Sequence, residues 1–301
     1  MFETAAVIFV DGLIYGAWLF IVSVGLTLVF GVLNLLNLAH GSLYALGAYA
    51  TASAVGAYFA LGGEAFPLGS YAAMLIAAVL VALIVGPLLE RFLLRYFYGR
   101  DEVLVVLVTY GVFLILEDVM KLVWGVDPYF VYEPYDLLGT VEAGPLYYAA
   151  YDFVVIAAAI VAGLGVWFTL NRTRQGKVVL AVINDREISQ AMGVNVNRVF
   201  MIAFCAGVFL AALGGALTAP MISVSPGISV NVIIVAFAVV IIGGLGSIEG
   251  AAIGALVVGV ARAASVHLLP EAELFIIYVV MAGVLVFRPQ GLFTKVQARK
   301  I

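Results

Sequence analysis

Charged residues are scarce in this chain: Asp, Glu, Lys and Arg make up 11% of its 301 residues. A soluble domain contains about 25% of such residues, so the composition excludes an ordinary soluble protein. The mean hydropathy is +1.19, and apolar runs close to the roughly twenty residues that cross a bilayer recur along the chain. The short alternating segments of an outer-membrane barrel are not visible. The sequence therefore predicts an all-α, polytopic transmembrane helical bundle.

Residues that carry chemistry are also few. The single cysteine, Cys205, has no disulfide partner, and two histidines, His40 and His267, are too few for a histidine-rich metal site. Gly176-Lys177 lacks the flanking residues of a phosphate-binding loop, and no Gly-x-Ser-x-Gly turn occurs. The formal net charge is −4, and the basic residues form no patch that would bind nucleic acid. We expect no catalytic site, no metal, no cofactor and no nucleic-acid partner.

The apolar runs number nine and predict a single transmembrane domain over residues 1–301, with about eight to nine spans. The seventh run is short enough to form a re-entrant or broken helix, and the first could be interrupted near Gly31. The runs are Ala5–Leu33, Leu43–Leu61, Tyr71–Leu89, Val103–Trp124, Ala149–Leu170, Val199–Ala219, Val230–Ile242, Ala251–Leu269 and Leu274–Phe287.

Basic residues are concentrated in three segments. Residues 90–102, 171–198 and 288–301 contain twelve of the fourteen Lys and Arg residues. Positive charge in short loops marks the cytoplasmic side of a membrane, so we expect all three segments to be cytoplasmic. Segment 125–148 is acidic and tyrosine-rich and has no Lys or Arg. We expect it to be extracytoplasmic, which places the N-terminus outside.

Segment 171–198 is the longest strongly polar interval between apolar runs, and it predicts a short helix. The stretch Asn184-Asp185-Arg186-Glu187 is typical of a helix start. The Asn184 side chain can accept a hydrogen bond from an early helical N–H, and the Glu187 side chain can bond the backbone N–H of Asn184, as in a capping box. Gly193 predicts the end of this helix.

An apolar stripe lies on one face of the predicted helix and consists of Ile188, Ala191 and Met192. A helix of about two turns is not stable alone in water. The stripe therefore indicates that another surface docks on it. The alternative is a helix that lies on the bilayer surface or on the rest of the chain.

A second polar stretch separates the first two apolar runs and contains Asn34, Asn37, His40 and Ser42. Polar side chains within a membrane face a bundle interior or a cavity, so these four residues are candidates for lining a translocation path. The alternative is an interfacial turn whose polar groups meet headgroups and water.

A glycine-rich stretch separates the seventh and eighth runs and contains Gly243, Gly244 and Gly246. Gly246, Gly250 and Gly254 are spaced by four, which favours close approach of two helices. The alternative is a broken helix at a binding site, which would add Gly243, Gly244 and Gly246 to the translocation path.

Few charged residues lie within the runs. Glu117 and Lys121 have the spacing of a helical pair. Arg262 needs a partner or access to the interface at its depth, and we expect Glu117 or Asp118 to be that partner.

Four stretches resemble one family. GLIYGAWLFIVSVGLTLVFGVLNLLNLAHGSLYALGAY resembles the N-terminal signature of Liv-type permeases, the membrane subunits of branched-chain amino acid ABC importers. TRQGKVVLAVINDREISQAMGVNVNRV resembles their cytoplasmic coupling loop, IIGGLGSIEGAAIGALVVG their glycine segment, and FRPQGLF their tail. The match is closer to the LivH-type member of the permease pair than to the LivM-type.

The resemblance implies a permease in the bacterial plasma (inner) membrane, surrounded by membrane lipid. Its implied partners are a second, LivM-like permease subunit, two ABC ATPase subunits and a periplasmic or extracellular substrate-binding protein. ATP hydrolysis would occur on the ATPases, so this chain would not be an enzyme. The implied cargo is a branched-chain or related amino acid, although similar permeases carry urea, amides or small organic acids.

The family also has a Glu-Ala-Ala-x3-Gly motif, which forms a coupling helix seated on the ATPase. Glu187-Ile188-Ser189-x3-Gly193 keeps that spacing with both alanines replaced. The resemblance assigns ATPase coupling to residues 184–188 and 191–193. Outside this family, the alternatives are a stand-alone channel or ion-coupled carrier, or a scaffold without a path.

Overall fold

The computed structural model of the chain describes residues 2–143 and 146–293, which are helical over most of their length. The α-helices are α1 (Phe2–Leu33), α2 (His40–Ala60), α3 (Gly69–Phe92), α4 (Glu102–Trp124), α5 (Glu133–Asp136), α6 (Ala150–Arg172), α7 (Arg174–Asn184), α8 (Arg186–Ala191), α9 (Val196–Thr218), α10 (Ile228–Gly243), α11 (Ile248–Leu268) and α12 (Glu273–Phe287). Strands β1 (Thr140–Ala143) and β2 (Leu146–Ala149) form an antiparallel hairpin. Short 3-10 turns occur at Gly63–Ala65, Leu94–Phe97 and Pro270–Ala272.

Nine of these helices correspond to the nine apolar runs, which confirms the polytopic helical bundle. Six are long and apolar enough to cross a membrane: α1, α3, α4, α6, α9 and α11. Helix α2 has 21 residues and is less apolar. Helix α10 has 16 residues, or about 24 Å at 1.5 Å per residue, which is short of the ~30 Å hydrocarbon core. Helix α1 continues unbroken through Gly31.

Helix α1 lies at the centre of the bundle and contacts α6, α9, α10 and α11. Its residues Leu19, Ile21 and Val22 are fully buried. Small residues allow α1 to approach α11 closely: a Cβ at Gly12 would lie 2.7 Å from the Val260 backbone. Because lipid provides no hydrophobic force that drives helices together, such small-residue contacts are a main source of packing energy in membranes.

Helix α9 packs against α1, α2 and α3 and follows the same rule. A Cβ at Gly215 would collide with the backbone of Tyr44 on α2. The Tyr44 hydroxyl in turn shares a hydrogen bond of 2.5 Å with Thr218. Backbone contact between helices therefore fixes the α2–α9 pair.

The two ends of the bundle differ in structure. At one end, segments 90–102 and 171–198 meet, because Tyr98 and Arg186 both contact Phe200. At the other end, segment 125–148 contains α5 and the hairpin, which the sequence had not predicted. There the backbones of Tyr129 and Val224 exchange two hydrogen bonds, of 2.8 and 2.9 Å. The cytoplasmic assignment of the basic end stays a prediction, and residues 294–301 of the third basic segment lie outside the described residues.

Candidate functional site

The basic segment 171–198 folds into two helices rather than one. Helix α7 begins where the Thr173 hydroxyl accepts a hydrogen bond of 2.9 Å from the Gly176 N–H. Sequence analysis missed this helix, although Thr173 is a favourable N-cap residue and apolar residues recur at helical spacing after it. Those residues are Val178, Val179, Val182 and Ile183.

The start of α8 corrects the capping prediction. Asn184 is the last residue of α7, and its side chain bonds the Leu180 carbonyl at 2.8 Å. Asp185 has an extended backbone, with φ −151° and ψ 106°, and its carboxylate accepts a hydrogen bond of 2.9 Å from the Ile188 N–H. An N-cap must leave the helical conformation, which Asn184 does not. The predicted capping box of Asn184 and Glu187 is therefore wrong, and Asp185 is the cap.

The end of α8 confirms the prediction for Gly193. This residue has φ +86°, a conformation that glycine adopts without steric cost. The Gly193 N–H bonds the Gln190 carbonyl and the Val194 N–H bonds the Ser189 carbonyl, both at 3.0 Å. These two bonds form a Schellman motif, so α8 is defined at both ends.

The predicted apolar stripe of α8 faces solvent. Ile188 is 63% exposed and Met192 is 80% exposed, and Ala191 is exposed as well. Ser189, the next residue after Ile188, is buried, and its hydroxyl donates to the Asp185 carbonyl at 2.7 Å. The chain therefore holds α8 from one side and leaves its apolar side uncovered.

A buried acid lies close to α8, and sequence analysis did not single it out. Glu90 at the end of α3 is fully buried, accepts a hydrogen bond of 3.3 Å from the Tyr98 hydroxyl and lies 4.0 Å from Arg95. Burial, and after it the Glu90 carboxylate, raises the pKa of Tyr98, so this hydroxyl stays protonated and donates. The Tyr98 and Phe200 ring centroids are 4.9 Å apart, and the Arg186 guanidinium lies 5.0 Å from the Phe200 centroid. Two aromatic rings thus connect α8 with α3.

The polar stretch between α1 and α2 is mostly buried. Asn37 accepts a hydrogen bond of 3.1 Å from the Ala39 N–H, and His40 Nε2 lies 3.0 Å from the Val22 carbonyl. The Ser42 hydroxyl donates to the Phe113 carbonyl at 3.2 Å. Asn34 is exposed, with φ 53°. Asn37, His40 and Ser42 thus face the protein interior, and their role in translocation stays a prediction.

The glycine-rich stretch is a tight turn between α10 and α11. A Cβ at Gly243 would collide with the backbone of Gly250, and Gly254 lies against α10 in the same way. Gly244 and Gly246 have φ +103° and +80° and lie in the turn itself. The close-packing interpretation is confirmed for Gly250 and Gly254, and a path role for Gly243, Gly244 and Gly246 stays a prediction.

The expected ion pairs within the spans are wrong. Arg262 pairs with Glu273 at the start of α12 and lies 4.2 Å from the Tyr15 ring centroid. Lys121 pairs with Asp118 at 3.2 Å rather than with Glu117. Glu117 instead accepts a hydrogen bond from Ser229 in the first turn of α10. The α11–α12 hairpin brings Glu273 to Arg262, which depth along a span does not reveal.

The sequence is similar to those of known transport permeases. The chain is 26% identical over 303 residues to the high-affinity branched-chain amino acid transport system permease protein BraD of Pseudomonas aeruginosa, covering 97% of this chain and 96% of that protein. It is 25% identical to the corresponding protein LivH of Escherichia coli, with the same coverage. A fructose import permease protein, FrcC of Rhizobium meliloti, is 36% identical over 37% of this chain and 33% of its own length. No solved structure matches the chain.

The family model described as "branched-chain amino acid transport system / permease component" matches residues 8–285. This range includes all nine apolar helices except the ends of α1 and α12, together with α7 and α8. The chain is therefore a multi-pass membrane protein that belongs to the branched-chain amino acid transport permease family.

Proposed function

We propose that the chain is the permease subunit of an ABC importer and forms part of the translocation path for branched-chain or related amino acids. ATP hydrolysis on partner ATPase subunits would drive the import. The observation that carries this proposal is α8, a six-residue helix that is capped at both ends and presents Ile188 and Met192 to solvent.

Helix α8 has the properties of a docking element. Its exposed apolar residues bury area when another protein covers them, and its caps fix the direction in which they point. Glu187 and Gly193 keep the spacing of the family's coupling motif. We therefore assign residues 184–188 and 191–193 to the ATPase contact, with Ile188 and Met192 as the apolar anchors and Asp185 as the residue that holds the helix.

Packed side chains would transmit a movement of α8 to the membrane-spanning helices. Arg186 lies on Phe200 of α9, and Phe200 lies against Tyr98, which bonds Glu90 of α3. A rigid shift of α8 would thereby move the basic ends of α3 and α9 together. Coupling of this kind requires two arrangements of the protein with different contacts. We expect the contacts from Arg186 through Phe200 and Tyr98 to differ between them.

The remaining subunits follow from the same family. A second, LivM-like permease would complete the path, and a soluble binding protein would deliver the cargo at the 125–148 end. The relatives are named for branched-chain amino acid transport, which favours Leu, Ile, Val or a related amino acid. Urea, amides and small organic acids are the alternative cargoes, which competition for uptake would distinguish.

The test is purification of the tagged chain from its native membrane in mild detergent, with the subunits identified by mass. We expect two ATPase subunits and a second permease. The ATPases should be lost from a Glu187→Arg, Gly193→Pro variant and retained in a Glu142→Arg control, which makes the same charge change at an exposed residue of the opposite end. A lone chain that transports without ATP in liposomes would contradict the proposal and establish a stand-alone carrier.

A further inference from the structure

A long crevice lies between α6 and α9. Helix α6 packs along α1 and joins α7, and the space that it leaves towards α3 and α9 has a volume of about 610 Å³. Its lining includes Met74 on α3, Val161 and Gly165 on α6, and Ile202 and Phe209 on α9. The outward residues of α6, such as Val161 (70% exposed), are uncovered, so the crevice opens to the side of the bundle, where the bilayer lies.

The crevice is longer than one leaflet of hydrocarbon. Its lining on α6 extends from Val154 to Leu170, which is about 24 Å at 1.5 Å per residue. One leaflet of hydrocarbon is half of a ~30 Å core. The crevice therefore extends from the membrane surface at the basic end past the bilayer centre.

The chemistry of the walls excludes a polar occupant. The lining is aliphatic and aromatic apart from Tyr71 and Thr169, and the Tyr71 hydroxyl already donates to the Pro134 carbonyl at 2.7 Å. An amino acid in this space would leave its ammonium and carboxylate without partners. A hydrocarbon chain has no polar group and leaves none unpartnered there.

Two cations stand at the basic end of the crevice, one on each wall. Arg198 lies one turn before Ile202 on the same face of α9, and Arg172 lies three residues after Thr169 on α6. Both arginines are exposed, and none of the ion pairs among the described residues involves either of them. The Arg172 guanidinium lies 6.0 Å from the ring centroid of Trp167, which does not line the crevice. This long side chain would therefore turn away from the ring to bind a phosphate at the end of the crevice.

We propose that this crevice binds one anionic phospholipid, with an acyl chain between α6 and α9 and the phosphate between Arg172 and Arg198. Guanidinium groups bind phosphate oxygens with charge-assisted hydrogen bonds, and basic residues at a membrane surface select anionic lipids. The lipid would bridge α6 to α9 and so fix α7, which leads into α8. This binding does not depend on which subunits assemble with the chain.

The test is native mass spectrometry of the purified chain and of its complex, after equilibration with equimolar phosphatidylglycerol and phosphatidylcholine in detergent. We expect one retained phosphatidylglycerol, preferred over phosphatidylcholine by about tenfold or more. Gly165→Leu should abolish retention, because a side chain there projects into the open crevice. Arg172→Gln with Arg198→Gln should remove the preference for the anionic lipid.

Matched controls exist for both changes. Gly111 on α4 also has open space at its Cβ and does not line the crevice, so Gly111→Leu should leave retention unchanged. Arg91→Gln with Arg100→Gln removes two exposed cations elsewhere in the basic segments and should leave the preference unchanged. Retention that survives Gly165→Leu, or equal retention of both lipids by the unmodified chain, would overturn the proposal. So would loss of lipid from the complex alone, which would assign the crevice to a subunit interface.

Discussion

Replacing Tyr98 by phenylalanine tests how the buried Glu90 carboxylate is stabilised. Glu90 has no exposed surface, and one of its oxygens, Oε2, has no partner among the described residues. Its other oxygen, Oε1, accepts a hydrogen bond of 3.3 Å from the Tyr98 hydroxyl, and the half-exposed Arg95 lies 4.0 Å from it. The substitution removes the hydroxyl and keeps the ring on Phe200, so it isolates the hydrogen bond from the packing.

The expected cost follows from the charge of the acceptor. A hydrogen bond to a charged group contributes about 1.5–3 kcal/mol, and 1 kcal/mol shifts the unfolding midpoint by roughly 2–4 °C in chains of 150–250 residues. Tyr98→Phe should therefore lower the midpoint by roughly 3–12 °C. In a Glu90→Gln background the acceptor is neutral, and the same substitution should cost about 1 kcal/mol or less.

The assay is thermal unfolding in detergent, followed by tryptophan fluorescence, for the four chains of this double-mutant cycle. Tyr96→Phe is the control, because Tyr96 is in the same segment and is 68% exposed. Its midpoint should stay within the error of the unmodified chain. Strictly additive effects of Tyr98→Phe and Glu90→Gln, or a loss no larger than that of the control, would refute the reasoning.

Three further predictions concern other contacts. Asp185→Ala removes the N-cap of α8 at about 1 kcal/mol and should reduce ATPase co-purification about fivefold. Asn184→Ala leaves the cap in place and should reduce it less; a larger loss from Asn184→Ala would identify Asn184 as the cap. Gly215→Leu drives a side chain into the α2 backbone and should abolish the monodisperse peak in size-exclusion chromatography, and a well-folded variant would show that α2 and α9 are farther apart. Arg262→Glu should lower the unfolding midpoint, with partial recovery from Glu273→Arg; recovery from Glu117→Arg instead would revive the original pairing.

The spans could be predicted from the sequence because their cause is local. A run of apolar residues that crosses a bilayer must form its backbone hydrogen bonds within a helix. The run predicted at Val103–Trp124 accordingly corresponds to the helix Glu102–Trp124 in the structure. The end of α8 at Gly193 was predicted for the same reason, since the chemistry of a glycine stop involves only its neighbours. Its start was displaced by one residue, because Asn184 and Asp185 are both good caps and the choice depends on α7.

Contacts between helices could not be predicted in this way. Arg262 and Glu117 are at similar depth in their runs, yet Arg262 meets Glu273 and Glu117 meets Ser229. Depth limits which residues can pair, and the order of helices around the bundle decides which of them do. The short connection between the eighth and ninth runs did indicate that α11 and α12 are neighbours, and that signal would have identified Glu273.

The buried polar stretch gains a physical argument that the sequence alone did not provide. Among the described residues, four polar atoms on α1, on the α1–α2 connection and at the start of α2 are buried without a partner: Ser23 Oγ, Thr27 Oγ1, Asn37 Nδ2 and His40 Nδ1. An atom that is buried without a hydrogen-bond partner costs about 1–3 kcal/mol. On the proposed function, a second arrangement of the spans would bring them water or cargo. Apolar substitutions at Asn37 and His40 should then reduce uptake, and a variant with unchanged uptake would remove this stretch from the path.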